Sequence, residues 1–198
     1  MKKIFFLQSL YTFAFLCFST VALAQNDKII ASTSIGFIRN NSSIIGINQN
    51  GFSTLTGVEY NLYHNFWLVA NLDFQSIGYK RQLENLSIKS RINAIPILVG
   101  GKFNFENKSK FIPYIGATIG FSYFSIPDGS NENGKVEVFS ETFIPFTFAF
   151  NLGVQWNFKS KLLPFVELTY QKTTKELNAL SEKPNFIPIR IGFRTYPF

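Results

Sequence analysis

The sequence predicts an all-β protein: an eight-stranded antiparallel up-and-down transmembrane β-barrel, preceded by a cleavable signal peptide. Three observations lead to this prediction. Large apolar residues alternate with small or polar ones in eight segments, as in residues 146–158 (FTFAFNLGVQWNF), and a period of two is typical of strands. The connections between these segments are alternately short and long. The chain also contains 24 phenylalanines, a residue that is favoured in strands.

Residues 1–24 have the features of a secretory signal peptide. A basic start and an apolar stretch are followed by a small-residue cleavage site, with Ala22 and Ala24 at its key positions. An uncleaved membrane anchor is the alternative, because the apolar stretch is almost long enough to cross a bilayer. The polar residues that follow the site favour cleavage, which leaves residues 25–198 as a single domain.

The domain has no cysteine and no concentrated charge. The single cysteine, Cys17, lies in the leader without the small preceding residue of a lipoprotein signal, so we expect neither disulfides nor lipidation. The formal net charge is +7, but the basic residues are dispersed rather than gathered into a run that could follow a phosphate backbone. We therefore expect no nucleic-acid partner.

The eight segments with period-two alternation are the predicted strands. They are residues 29–37, 55–62, 68–75, 95–104, 114–123, 146–158, 165–171 and 187–194. Divided among eight strands, the domain has room for the about 9–11 spanning residues that each strand of a membrane barrel needs. A general porin of about 16 strands would leave almost nothing for loops, so an open porin is excluded.

The connections sort into two lengths. Short turns are predicted at residues 63–65, 106–110 and 159–162. Long polar loops are predicted at residues 39–52, 80–90, 126–141 and 173–185. Short turns at one end and long loops at the other are typical of outer-membrane barrels, in which the short turns are periplasmic. The long loops are where we expect recognition of other molecules.

The polar face of the strands should line the lumen. An eight-stranded barrel is only just wide enough for its own side chains, so the large apolar residues must face outward. A lysine or arginine facing lipid at mid-membrane would cost about 2–4 kcal/mol, whereas inside the barrel it can pair. The polar residues expected inside are Glu59, Asn71, Asp73, Gln75, Lys102, Asn151, Gln155, Glu167, Arg190 and Arg194. A soluble lipocalin-like barrel is the alternative, and it would require the inverse pattern.

Aromatic residues flank all three short turns. They are Tyr63, Phe66, Trp67, Phe105, Phe111, Trp156 and Phe158. Because tyrosine and tryptophan prefer the boundary between water and lipid, this clustering predicts an aromatic girdle. Ordinary strand composition is the alternative explanation.

Two places in the pattern predict irregular strands. Pro96 falls inside a strand, where it cannot donate a ladder hydrogen bond, so we expect either a bulge or a strand portion beyond the membrane. At the C-terminus, Tyr196 and Phe198 are out of phase with Ile191 and Phe193. A bulge near residues 194–195 would absorb the difference.

The chain ends in Tyr196-Pro197-Phe198, a terminal phenylalanine with an aromatic residue two positions earlier. This ending resembles the signal by which outer-membrane barrels are recognised for insertion. With the strand pattern, it makes the chain similar to the small outer-membrane β-barrel family, the OmpX-like and PorT-like barrels. The resemblance implies outer-membrane lipid and the insertion machinery as partners, and a possible accessory role in secretion or envelope assembly.

Little in the sequence indicates catalysis. His64, the single histidine, lies on a short turn without an adjacent serine, so we expect no enzyme, no metal and no cofactor. The luminal charges are expected to form a structural plug of ion pairs, although they could also gate a narrow channel or bind a small polar ligand. The leading hypothesis is a non-enzymatic outer-membrane scaffold or surface-binding protein. A lipid-modifying enzyme and a narrow channel or ligand-binding barrel are the alternatives.

Overall fold

The structure, a computed structural model, describes residues 28–40, 50–83, 86–132, 135–158, 161–174 and 185–195. The predicted cleavage site at Ala22 and Ala24 and the terminal Tyr196 and Phe198 lie outside the described residues. What the sequence predicts for these four positions therefore stays a prediction.

The described residues form nine antiparallel strands. They are β1 (Ile29–Asn40), β2 (Gly51–Tyr63), β3 (Phe66–Leu83), β4 (Leu86–Asn104), β5 (Phe111–Glu132), β6 (Lys135–Phe143), β7 (Phe146–Trp156), β8 (Leu162–Thr173) and β9 (Asn185–Thr195). Within this part of the chain, no helix has the length and apolar character needed to cross a bilayer.

The strands close into an eight-stranded barrel, which confirms the predicted fold. Each barrel strand pairs with its neighbours, β1 pairs with β9, and β4 pairs with β5. Strand β6 pairs with β5 in the same register as β7 does: Phe143 lies opposite Phe124 and Phe146 opposite Phe121. Strands β6 and β7 are therefore the two halves of one barrel strand, interrupted next to Pro145.

Two of the predicted long loops are instead strand extensions. Residues 80–90 belong largely to the β3–β4 hairpin, and residues 126–141 belong to the β5–β6 hairpin. These loop predictions were wrong because they relied on hydrophobic alternation, which is weak in residues 80–90 and 126–141, whereas the backbone ladder continues through both segments. The other two long connections fall largely outside the described residues. We call this end of the barrel the long-loop end and the opposite end the short-turn end.

The outward face of the barrel is apolar, as the alternation predicts. Ile97, Phe150 and Ile191 have exposed fractions of 60%, 58% and 58%, and large apolar side chains are exposed on every barrel strand. A soluble protein rarely exposes so continuous an apolar surface. A band of this kind is typical of the lipid-facing side of a membrane barrel.

One member of the predicted aromatic girdle faces the lumen. Trp67 is only 7% exposed, and the ammonium of Lys102 lies 5.4 Å from its ring centroid. Trp67 shares the inward phase of Val69 and Asn71, so its place in the girdle was wrong. The other girdle members lie on the outside of the barrel or on its turns, for example Phe111, whose ring packs edge-on against Trp156.

The predicted bulge at Pro96 is absent. Pairing of β3 with β4 stops at Leu72–Ile97 and resumes at Gln75–Ala94 in the same register, while Pro96 itself lies opposite Ser122 of β5. Because proline has no backbone N–H, two residue pairs between β3 and β4 are missing at this point. No extra residue is inserted, so the strand has no bulge. The depth of this segment in the membrane stays a prediction.

The C-terminal bulge is also absent from the residues where it was expected. Arg194 and Thr195 keep an unbroken register with both β1 and β8. A register shift does occur elsewhere, between β2 and β3 at Asn61–Tyr63, beside the two-residue turn that joins these strands. The shift lies at the short-turn end.

Candidate functional site

Among the described residues, six charged side chains are buried in the lumen, which makes it the candidate site. They are Glu59 on β2, Asp73 on β3, Lys102 on β4, Glu167 on β8, and Arg190 and Arg194 on β9. Each is less than 9% exposed. A charge removed from water needs a close counter-charge and hydrogen bonds, so the partners of these six groups decide what the lumen can do.

Arg194 organises the charges nearer the short-turn end. Its Nε donates to Glu59 Oε1 at 2.7 Å, and one terminal nitrogen donates to Gln155 Oε1 at 3.1 Å. The other oxygen of Glu59 forms an ion pair with Lys102. The guanidinium also lies 4.0 Å from the ring centroid of Phe165, a cation–π contact that shields it from water. Glu59 thus receives two cations from two different strands.

Arg190 organises a second group, closer to the long-loop end. Its guanidinium forms an ion pair with Asp73 and donates to Thr169 Oγ1 at 2.7 Å. Gln75 Nε2 donates to Asp73 Oδ2 at 2.6 Å and to Gln171 Oε1 at 2.8 Å. This group ties together β3, β8 and β9.

Glu167 joins the two groups. One of its oxygens lies 3.5 Å from Arg190 and the other 3.8 Å from Arg194. The hydroxyl of Tyr114 donates to Glu167 at 3.1 Å. The Tyr114 ring lies against Gly153, its partner on β7, where an added Cβ would collide with the ring. The six charges therefore form one network across the lumen.

Small cavities remain beside the network in the described part of the lumen. Two luminal cavities have volumes of about 10 and 20 Å³, and Asn71 and Asn151 line both of them. A cavity of this size holds about one water. The smaller cavity is lined by Asp73, Thr118 and Gln171, and each of these has a buried polar atom without a protein partner. Such atoms are commonly satisfied by buried water.

An apolar cluster, not anticipated from the sequence, fills the lumen at the long-loop end. It consists of Ile38, Ile77, Ile92, Ala94, Phe124, Ile126 and Phe186, with Phe143 packed against it. The seven core members are at most 1% exposed. The sequence could have indicated this cluster, because each of its members continues the inward phase of its strand. We call this set the luminal apolar cluster.

His64 lies on the turn between β2 and β3, and its described contacts do not form a catalytic arrangement. It is exposed, its φ of 44° is left-handed, and its ring stacks on Tyr63 at 4.2 Å. Among the described residues, no group of three or more histidine, cysteine, aspartate or glutamate side chains could hold a metal ion.

The closed ring, the apolar outer face and the filled lumen define a small transmembrane β-barrel. No family model matches the chain, and no curated protein matches it. Among solved structures, the chain is similar to Neisserial surface protein A, with a TM-score of 0.55 and 13% identity over 85% of this chain and 96% of that one. It is also similar to the outer membrane protein OprG from Pseudomonas aeruginosa, with a TM-score of 0.57 and 12% identity over 85% and 95%. At this identity the likeness concerns the fold.

Proposed function

We propose that the chain is a non-enzymatic protein of the bacterial outer membrane, a rigid scaffold that binds other molecules through its long-loop end. The observation that carries the proposal is the filled lumen. A network of six paired charges and the luminal apolar cluster occupy the inside of the barrel, which supports a scaffold over a channel. The apolar outer face and the similarity in fold to two outer-membrane proteins support the location.

The strand extensions support binding at the long-loop end. The β3–β4 and β5–β6 hairpins carry paired backbone beyond the last pair that joins β4 to β5, Asn93–Ser125. Binding residues are commonly carried on segments that a rigid scaffold holds in place. The resemblance to PorT-like barrels suggests an accessory role in secretion or envelope assembly as the finer form of this proposal.

The surroundings of His64 support a non-enzymatic role. A hydrolase would place the imidazole in hydrogen-bond contact with a nucleophile and an orienting carboxylate. Among the described residues, the ring of His64 has only a stacking contact with Tyr63. A lipid-modifying activity that is lost in His64→Ala would contradict the proposal.

Membrane fractionation and conductance measurements test the proposal. We expect the protein in the outer-membrane fraction, with different gel mobility before and after boiling. In planar bilayers we expect no conductance above that of protein-free membranes, with a general porin as the positive control. A soluble protein without heat-dependent mobility would refute the location, and discrete channel currents would refute the closed scaffold.

A further inference from the structure

The outward face of the barrel carries an arginine held in an unusual position at the long-loop edge of the apolar band. Apolar side chains cover this face up to Phe74 on β3 and Ile95 on β4. The next outward residues on β4 are Asn93 and Arg91, both exposed. Arg91 therefore lies where the surface changes from apolar to polar, which in a membrane barrel is the depth of the lipid headgroups.

Arg91 bends back toward the apolar band instead of extending into water. Its Nε donates to Ser76 Oγ at 2.8 Å, and a terminal nitrogen donates to the Ser76 carbonyl at 3.3 Å. Gly78 lies directly opposite Arg91 and has no side chain, so the guanidinium can pass over β3 to reach Ser76. Ser76 is only 4% exposed although it has the outward phase, which is consistent with cover by the arginine.

An aromatic ring on a third strand completes the arrangement. The guanidinium carbon lies 5.5 Å from the ring centroid of Phe52 on β2, and this ring in turn contacts Phe74 at 6.0 Å. Arg91 is thus fixed across β4, β3 and β2 by two hydrogen bonds and a cation–π contact. An arginine fixed in this way has less conformational entropy to lose when it binds a ligand.

The fixed guanidinium still has donors to offer. Arginine has five N–H donors, and two of them are used by Ser76. Among the described residues, no carboxylate forms an ion pair with Arg91, unlike the arginines of the lumen. Two forked donors with a positive charge match the paired oxygens of a phosphate or carboxylate group, and phosphate is the anionic group that phospholipid headgroups supply.

We propose that Arg91, positioned by Ser76 and Phe52, binds the phosphate group of a membrane lipid headgroup. The inference rests on the proposed membrane location. The acyl chains of the bound lipid would lie along the apolar band next to Phe52 and Phe74, and the phosphate would receive the remaining guanidinium donors. The barrel surface would then hold one lipid at a defined place, in addition to the lipids that surround it without specificity.

Native mass spectrometry of the folded, detergent-solubilised mature protein tests the site. A short-chain phosphatidylglycerol is titrated, and the dissociation constant of the first lipid adduct is measured. We expect Arg91→Gln to weaken binding roughly fivefold or more, the effect of losing one cation near an anionic surface. Ser76→Ala keeps the charge but removes one anchoring bond, so it should weaken binding by a smaller factor. A galactolipid with the same chains, which lacks phosphate, should bind weakly to every variant.

Lys172→Gln is the matched control. Lys172 is an outward-facing cation toward the same end of the barrel, on β8. Equal weakening by Lys172→Gln and Arg91→Gln would show diffuse attraction and overturn the site, as would unchanged binding in Arg91→Gln. Displacement of the lipid by inorganic phosphate would show a free-anion site instead of a lipid site.

Folding of each variant is checked by its gel mobility before and after boiling. If Arg91→Gln does not fold, Arg91→Lys takes its place, because lysine keeps the charge but cannot form the forked contacts. Lipid affinity that is unchanged in Arg91→Lys would overturn the role of the oriented guanidinium. A wild-type protein that lacks heat-dependent mobility would instead contradict the membrane location, so the two failures are distinguishable.

Discussion

The six luminal charges show how single residues hold this barrel closed. Each cation contacts a carboxylate that comes from a different strand, and Glu167 links the two arginines. Strand phase alone predicts that these side chains face inward. It does not predict which cation pairs with which carboxylate, because the pairing depends on the stagger of strands that are far apart in sequence. Asp73 and Arg190, for example, are 117 residues apart.

Removing Arg190 should strongly destabilise the barrel. Arg190→Met leaves the buried carboxylate of Asp73 without its cation, which should lower the free energy of unfolding by about 3–5 kcal/mol. Urea unfolding of the protein in lipid vesicles measures the change. The double variant Arg190→Met/Asp73→Asn removes both charges and should recover at least half of the loss. A single-variant loss below about 1 kcal/mol would contradict the importance of this pair.

Gly153 should be intolerant of a side chain. An added Cβ would overlap the ring of Tyr114, so Gly153→Ala should lower the free energy of unfolding by about 1–3 kcal/mol through overpacking. Gly116→Ala is a suitable control, because its Cβ would approach the carbonyl oxygen of Gly101 at 3.1 Å and the Asn151 side chain only at 3.7 Å. Equal losses in the same unfolding assay would contradict the role of the Tyr114 ring.

At the scale of the strands, the interrupted sixth barrel strand is the feature that the sequence did not reveal. The Ser122 amide donates to the Pro145 carbonyl at 3.1 Å, but Pro145 has no N–H to return the bond. The half of this strand that precedes Pro145, β6, was not recognised because its polar residues suggested a loop. The prediction for Trp67 was wrong for a different reason. Its position beside a turn suggested the girdle, whereas its phase within β3 determines that it faces inward.

Restoring the missing donor should tighten the junction between β6 and β7. Pro145→Val supplies an amide that can donate to the Ser122 carbonyl, and one added hydrogen bond is worth about 1 kcal/mol. We expect amide hydrogen exchange of the neighbouring Ile144 to slow roughly fivefold. Pro164→Val on β8 controls for the loss of a proline elsewhere. Unchanged exchange at Ile144 would indicate that the missing donor does not limit this junction.

For the molecule as a whole, the sequence was sufficient to predict the barrel. Period two, the alternation of connection lengths and the small radius of eight strands together determined which face is wet, and the structure has this arrangement. The luminal apolar cluster and the fixed position of Arg91 were not predicted. Both depend on contacts among several strands, and period two describes only one strand at a time.

A charge on the outward face tests the lipid environment directly. Phe150 is 58% exposed near the middle of β7, so Phe150→Arg should lower the free energy of unfolding in vesicles by about 2–4 kcal/mol. Phe150→Leu keeps the surface apolar and should have a much smaller effect. If the arginine variant were as stable as the leucine variant, the outward face would be exposed to water.

Both arginines of the lumen belong to the final strand, β9, while their carboxylate partners lie on β2, β3 and β8. Without that strand, the described part of the lumen offers only the ammonium of Lys102 to offset the three negative charges of Glu59, Asp73 and Glu167. Closure of the ring between β1 and β9 therefore also brings the arginines to the carboxylates of β2 and β3. A barrel that lacks β9, or that pairs β1 with β9 in the wrong register, would contain unpaired buried charges as well as unpaired backbone groups. The charge network therefore disfavours incorrectly assembled barrels.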